Sequence, residues 1–251
     1  MAGLTMATAQ VEESFSATAG RARIELLERL RGAGYQFVAP SVATHRRVLR
    51  RDGQTTARDL RDVFGWSLPF SRTLLEPGLI DCLAAAGALR LRDGLLVSTL
   101  RAASLSQDIF LHSAFPANAP DAVFFGPDSY RFANFLAHEL AKAPRGGVLL
   151  DIGCGSGVGG VVAARSMQPS QVILTDLNPT ALDFARANAA AADVAARFVR
   201  GDGVASINEV LDVLHGGINR RTSYEGRLDL SVDTDLGKLI GWDGASAHVT
   251  V

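Results

Sequence analysis

The run Asp151-Ile-Gly-Cys-Gly-Ser-Gly157 constrains this chain more than any other segment. It follows an apolar stretch at once, so Val148-Leu-Leu-Asp-Ile152 reads as a buried strand and Val158 to Met167 as a helix. Glycines at a strand-to-helix turn let a ligand approach the backbone, and the helix N-terminus behind them favours a negative group. Gln171-Val-Ile-Leu-Thr-Asp176 predicts a second strand, Pro179 to Ala192 a helix capped by Asn178, and Arg197-Phe-Val-Arg200 a third strand. Strands alternating with helices imply a Rossmann-like parallel sheet of the α/β class. Asp176 ends the second strand 25 residues after Asp151, and a carboxylate there can accept hydrogen bonds from both hydroxyls of a ribose. The third strand ends in Gly201-Asp202. Three such ends in a row predict one crevice at the carboxyl edge of the sheet.

A second pattern overlaps the first. Gly155-Ser-Gly-Val-Gly-Gly160 also fits the dinucleotide fingerprint GxGxxG. Asp151 within the strand end, and Leu177-Asn-Pro with an Ala-rich helix after Asp176, weigh against that reading. A glycine turn of purely structural purpose is the other alternative.

Upstream the rhythm differs. Helices are expected over 21–33, 41–51, 56–63 and 74–86. Residues 88–99 read as a β-hairpin, because Asp93-Gly94 favours a type I′ turn. Helices followed by a hairpin suggest a mainly helical, winged-helix-like domain over 1–110, before an α/β half-domain over 111–205 that opens with a helix at 129–142. Residues 1–100 hold 13 Arg against 10 Asp and Glu, too small an excess to argue a nucleic-acid footprint. The whole chain carries a net charge of -1, which singles out neither nucleic acid nor membrane. Cys82 and Cys154 have no CxxC partner, and His112, His138, His215 and His248 have no metal spacing. No metal site or disulfide framework is expected. With no signal peptide or long apolar run, the expected setting is cytoplasmic, without stable membrane association.

Residues 147–202 resemble the class I S-adenosylmethionine-dependent methyltransferases. They are most similar to the branch of release-factor glutamine and ribosomal-RNA guanine N-methyltransferases. Val148-Leu-Leu-Asp-Ile-Gly-Cys-Gly-Ser-Gly157 is similar to that family's first motif. Asp176-Leu-Asn-Pro-Thr-Ala-Leu182, with Ala187-Asn188, is similar to its second. The resemblance implies S-adenosylmethionine as cofactor. Asp151, Gly153, Gly155 and Gly157 would shape the methionine pocket, Asp176 with Leu177 would hold the ribose side, and Asp202 would sit by the adenine. Phe125-Gly-Pro-Asp-Ser-Tyr130 resembles the segment placed over the cofactor, which makes Asp128 and Tyr130 rim candidates. The implied reaction is N-methylation of a protein glutamine or a nucleic-acid base. The branch's Asn-Pro-Pro-Tyr is missing, however, since the only Asn-Pro is Asn178-Pro179. No catalytic residue is assigned, and the fold is expected to be an incomplete version of the family's.

Residues 206–251 break the pattern. Gly216 to Leu230 and Leu239 to Val251 resemble strands of the carbohydrate-selective outer-membrane porins, with Leu228, Leu230 and Val232 alternating against Asp229, Ser231 and Asp233. A reading frame joined near 203–208 would explain both the lost motif and this tail. The competing function is a non-catalytic winged-helix module that binds nucleic acid and carries a ligand-sensing α/β part.

Overall fold

A computed structural model describes residues 17–50, 55–202 and two short strands at 229–230 and 249–250. It divides into two units, Met1–Ile207 and Asn208–Val251.

Helix α1 (Ala17–Gly32) buries Leu26, Leu27 and Leu30 along one stripe. Helix α2 (Val42–Leu49) starts where the Ser41 side chain accepts the Thr44 N–H. Helix α3 (Leu60–Phe64) begins later than the expected residue 56, because Asp59 caps it by accepting the Asp62 N–H. Helix α4 (Pro77–Ala85) likewise begins late, with Pro77 in its first turn. Strands β1 (Leu89–Arg92) and β2 (Leu95–Ser98) pair antiparallel. Asp93 and Gly94 between them have φ values of 51° and 78°. Both are positive, as the type I′ turn requires.

A second hairpin was not foreseen. Strands β3 (Leu100–Leu105) and β4 (Asp108–Ser113) pair from Leu100 opposite Ser113 to Leu105 opposite Asp108. The turn carries Ser106 at φ 54°, without an Asn-Gly or Asp-Gly signal. Phe110 and Leu111 of β4 are fully buried, in one apolar cluster with Leu26 of α1. The boundary expected after residue 110 therefore falls inside a strand, and the residues on either side of it share a core.

Helix α5 (Pro127–Leu140) leads into strand β5 (Val148–Ile152), helix α6 (Val158–Met167), strand β6 (Gln171–Asp176), helix α7 (Pro179–Ala191) and strand β7 (Arg197–Arg200). The strands form a parallel sheet in the order β5-β6-β7. The expected bounds of all three strands and of α6 hold. Strand β5 is less buried than expected, with Val148 45% and Ile152 40% exposed. Among the described residues only β6 pairs with it, so it lies at an edge.

Two polar links fasten β4 to the α/β part. The Asn188 amide on α7, buried to 1%, accepts the Leu111 N–H at 2.8 Å and donates to the Leu111 carbonyl at 3.0 Å and the Ser156 carbonyl at 2.8 Å. Arg165 on α6 makes a two-pronged pair with buried Asp108, at 3.0 and 2.8 Å, and reaches the Ala192 carbonyl at 3.0 Å.

In the second unit, strand β8 (Asp229–Leu230) pairs antiparallel with strand β9 (Val249–Thr250). The porin resemblance expected over residues 206–251 otherwise falls on residues outside those described.

Removing the Asn188 amide leaves three backbone groups without their partner in a dry core. Asn188→Ala is expected to destabilise the first unit by roughly 2–4 kcal/mol, read as a lower urea midpoint with little change in slope.

Candidate functional site

The glycine loop is built by backbone conformation. Gly153, Gly155 and Gly157 have φ values of 73°, 54° and 80°, a region that side chains with a Cβ disfavour. Nothing lies within 4 Å of where a Cβ would stand on Gly153 or Gly155, whereas one on Gly157 would press on Ala185 at 3.1 Å. The first two positions leave open space for a ligand, and the third permits close packing of α6 on α7.

The ends of the three strands are tied together. Gly153 and Cys154 N–H both donate to the Thr175 carbonyl at 2.9 Å. The Asp176 carboxylate accepts the Gly155 N–H at 2.8 Å through Oδ2 and the Asn178 N–H at 2.9 Å through Oδ1. Gly201 N–H donates to the Asp176 carbonyl at 3.2 Å, which places exposed Asp202 at the same edge. Leu177 is 63% exposed between these ends. The structure thus brings Gly153, Gly155, Gly157, Asp176, Leu177 and Asp202 to one carboxyl edge.

Asp151 stands apart in its surroundings. Its Oδ2 is buried without a hydrogen-bond partner, beneath the first turn of α6. A Cβ on Gly159 or Gly160 would come within 3.2 or 3.3 Å of that oxygen. Burial raises its pKa to about 6; the Gly160 amide offsets part of this, and the Asp176 charge adds to it. Asp151 lies beneath α6 beside Phe132 and Leu174, and Gly159 and Gly160 leave room for all three. Cys154 is buried and its thiol is pushed up by burial, which fits a packing residue rather than a nucleophile.

The upstream rim candidates are engaged differently. The half-buried Tyr130 accepts the Ala39 N–H at 2.8 Å and packs edge-on against Phe125 at 5.3 Å. Asp128 pairs with Arg131 at 3.2 Å. Among the described residues, no hydrogen bond or ion pair joins either one to the glycine loop. Asp121 was not foreseen. Its carbonyl accepts from the Asn178 side chain and its carboxylate from the Thr180 hydroxyl, both at 2.9 Å. The loop before α5 is thereby laid on the start of α7. These pairings span 57 and 59 residues, and no local pattern announces them.

No helix among the described residues is long and apolar enough to cross a membrane. Residues 122–214 match the model of the Methyltransferase small domain. The match begins in the loop before α5 and runs past Asp202. A curated relative, the Ribosomal RNA small subunit methyltransferase C of Hamiltonella defensa, is 37% identical over 71 residues, covering 28% of this chain and 21% of the relative. The chain thus spans about a fifth of that protein's length. Among solved structures, a SAM-dependent methyltransferase from Agrobacterium tumefaciens is 20% identical, covering 47% of this chain and 37% of that one, at a TM-score of 0.38. M. jannaschii TYW2 in complex with AdoMet is 15% identical, covering 46% and 51%, at a TM-score of 0.35.

The raised pKa of Asp151 has a consequence for stability. A carboxyl that ionises less readily when folded adds stability below its unfolded pKa of 3.8 and loses it as pH rises through about 6. Asp151→Asn, which stays neutral throughout, is expected to gain on the native chain by roughly 1–3 kcal/mol between pH 4 and pH 7.5. Thermal unfolding of both proteins across that range measures it. The domain match, over residues 122–214, and the curated relative are both to methyltransferases.

Proposed function

We propose that the carboxyl edge of β5-β6-β7 binds S-adenosylmethionine, and that the chain transfers its methyl group to a nitrogen of an RNA or protein acceptor. One observation carries this reading. The Asp176 carboxylate grips the Gly155 amide while the Asp176 carbonyl takes the Gly201 amide, so the three strand ends lie together at one edge, which supports a shared ligand site. The residues present suit the group. Gly153 and Gly155 open onto free space, the N-terminal amides of α6 favour a carboxylate, and exposed Leu177 offers an apolar face beside two acidic residues.

When bound, the cofactor supplies an electrophilic methyl group on a sulfonium. The chain's share is binding and alignment. The Gly153–Gly157 backbone and the first turn of α6 would take the methionine end. Each Asp176 oxygen has a lone pair left beyond its backbone bond, and these would accept the ribose hydroxyls. Asp202 would accept from the adenine amino group, with Leu177 against the ring. Asp151 would fix the loop from beneath α6. Asp128 and Tyr130 would rim the opening through α5.

An RNA acceptor is favoured by the likeness to a ribosomal RNA methyltransferase. Helices α2 to α4 followed by the β1-β2 hairpin have the element order of a winged helix, and we assign them to holding the acceptor. The branch's Asn-Pro-Pro-Tyr is absent from this sequence, and among the described residues none is assigned in its place, so methyl transfer by this chain is expected to be slow. Two free buried cysteines suit a reducing, cytoplasmic setting.

Calorimetric titration with S-adenosylhomocysteine tests the reading. Saturable binding, weakened at least ~10-fold in Asp176→Ala by loss of charge-assisted hydrogen bonds, is the expected outcome. Preference for a nicotinamide dinucleotide would overturn it.

A further inference from the structure

Charges upstream of the α/β part are near balance in number but not in placement. Helix α2 carries Arg46, Arg47 and Arg50, all exposed, and residues 38–50 hold no Asp or Glu. Other arginines are matched: Arg29 with Glu25 and Glu76, Arg58 with Asp62, Arg165 with Asp108. Among the described residues no ion pair reaches the three on α2. Clustered cations without carboxylates nearby attract a polyanion.

The helix borders a hollow of a different character. A cleft of about 270 Å³ is lined by Val42 and Arg46 of α2 and by Phe115, Asn118 and Phe124 of the loop between β4 and α5. None of its lining residues is Asp or Glu. Val42 is 42% and Phe124 52% exposed, and Arg46 and Asn118 are exposed too. The Phe124 ring has a floor. A Cβ on Gly126 would come 2.4 Å from its Cζ and 3.0 and 3.2 Å from its Cε atoms, so the glycine lets the ring rest on backbone at the start of α5. An exposed aromatic ring backed in this way is a platform on which a flat base can stack. The same loop leads to the strand ends. Asp121, three residues before Phe124, is tied to Asn178 and Thr180 at the start of α7. Three residues of chain span at most ~11 Å, so the Phe124 backbone lies no farther than that from the Asp121 anchor.

We propose that this surface holds an unpaired stretch of RNA, with phosphates on Arg46, Arg47 and Arg50 and a base stacked on Phe124 at the cleft. The inference deepens the RNA reading given above and rests on it for the class of acceptor. The ring selects an unpaired strand: a base within a duplex has its faces covered, whereas an unpaired one can turn a face to Phe124. The ring also favours RNA over an acidic protein, since the arginines alone would accept any polyanion. The short link through Asp121 directs neighbouring nucleotides toward the carboxyl edge where the methyl donor is proposed to bind.

A labelled RNA of about 12 nucleotides, of mixed sequence and unable to self-pair, is titrated with the full chain and followed by fluorescence anisotropy at several salt concentrations. Duplex RNA of the same length and polyglutamate are the competitors. Saturable binding is expected, at least ~10-fold tighter than that of either competitor. Combining Arg46→Gln, Arg47→Gln and Arg50→Gln should weaken it at least ~10-fold at low salt and flatten the plot of log affinity against log salt by about 2, at roughly 0.7 per phosphate contact. Phe124→Ala should weaken it about 10-fold with the salt slope unchanged, and Phe124→Trp should bind like the native chain. Calorimetric affinity for S-adenosylhomocysteine should be the same in these variants as in the native chain, so failure of this surface and failure of the cofactor site are read apart. The three arginines are exposed, and their combined variant decides the matter if Phe124→Ala does not fold. The proposal fails if the RNA does not bind, if duplex or polyglutamate competes as well as unpaired RNA, or if the folded arginine or Phe124→Ala variant binds RNA like the native chain.

Discussion

The first unit depends on a single buried amide. Asn188 presents a C=O and an N–H to Leu111 as a neighbouring strand would, and it spends its remaining hydrogen on Ser156 inside the glycine loop. Strand β4 thereby gains a partner on its free edge, and the loop gains a strut. The alternative in a dry core is three backbone groups without their partner, a loss of roughly 2–4 kcal/mol in all. Arg165 and Asp108 make the same junction from α6. The hairpin upstream and the α/β part downstream are therefore held as neighbours by polar contacts of fixed geometry, not by apolar contact alone.

That junction positions the candidate site. The loop is clamped from one side by Asn188 and from the other by Asp176, which holds the Gly155 amide. Phe132, Leu174 and Asp151 fill the space beneath α6 that Gly159 and Gly160 leave. A ligand at the strand ends would meet a backbone already held in place, which limits the ordering that binding must impose. Burial raises the Asp151 carboxyl to about 6, so its ionised form is penalised near neutral pH.

Much of this was legible in the amino-acid order, and what was missed has a common physical reason. The β5-α6-β6-α7-β7 run announced itself because apolar strands, glycine turns and the Asn178-Pro179 start are local signals. The β1-β2 hairpin did so through Asp93-Gly94. The β3-β4 hairpin was hidden because its turn has no such pair, and its apolar residues read equally as an approach to the next domain. Asn188 was visible as part of a motif, but its bonds to Leu111 span 77 residues, and no local pattern shows that. Asp128 and Tyr130 were placed by resemblance; the structure gives Tyr130 to Ala39 and Phe125.

The edge joining Gly153–Gly157, Asp176 and Asp202 is the proposed ligand site. Amide hydrogen exchange on the full chain, with and without saturating S-adenosylhomocysteine, checks this residue by residue. Slower exchange is expected at Gly153, Gly155, Leu177 and Asp202 when the ligand is present, with unchanged exchange at β1 and β2. Protection confined to residues outside this edge, or none at any of these amides, would rule the site out.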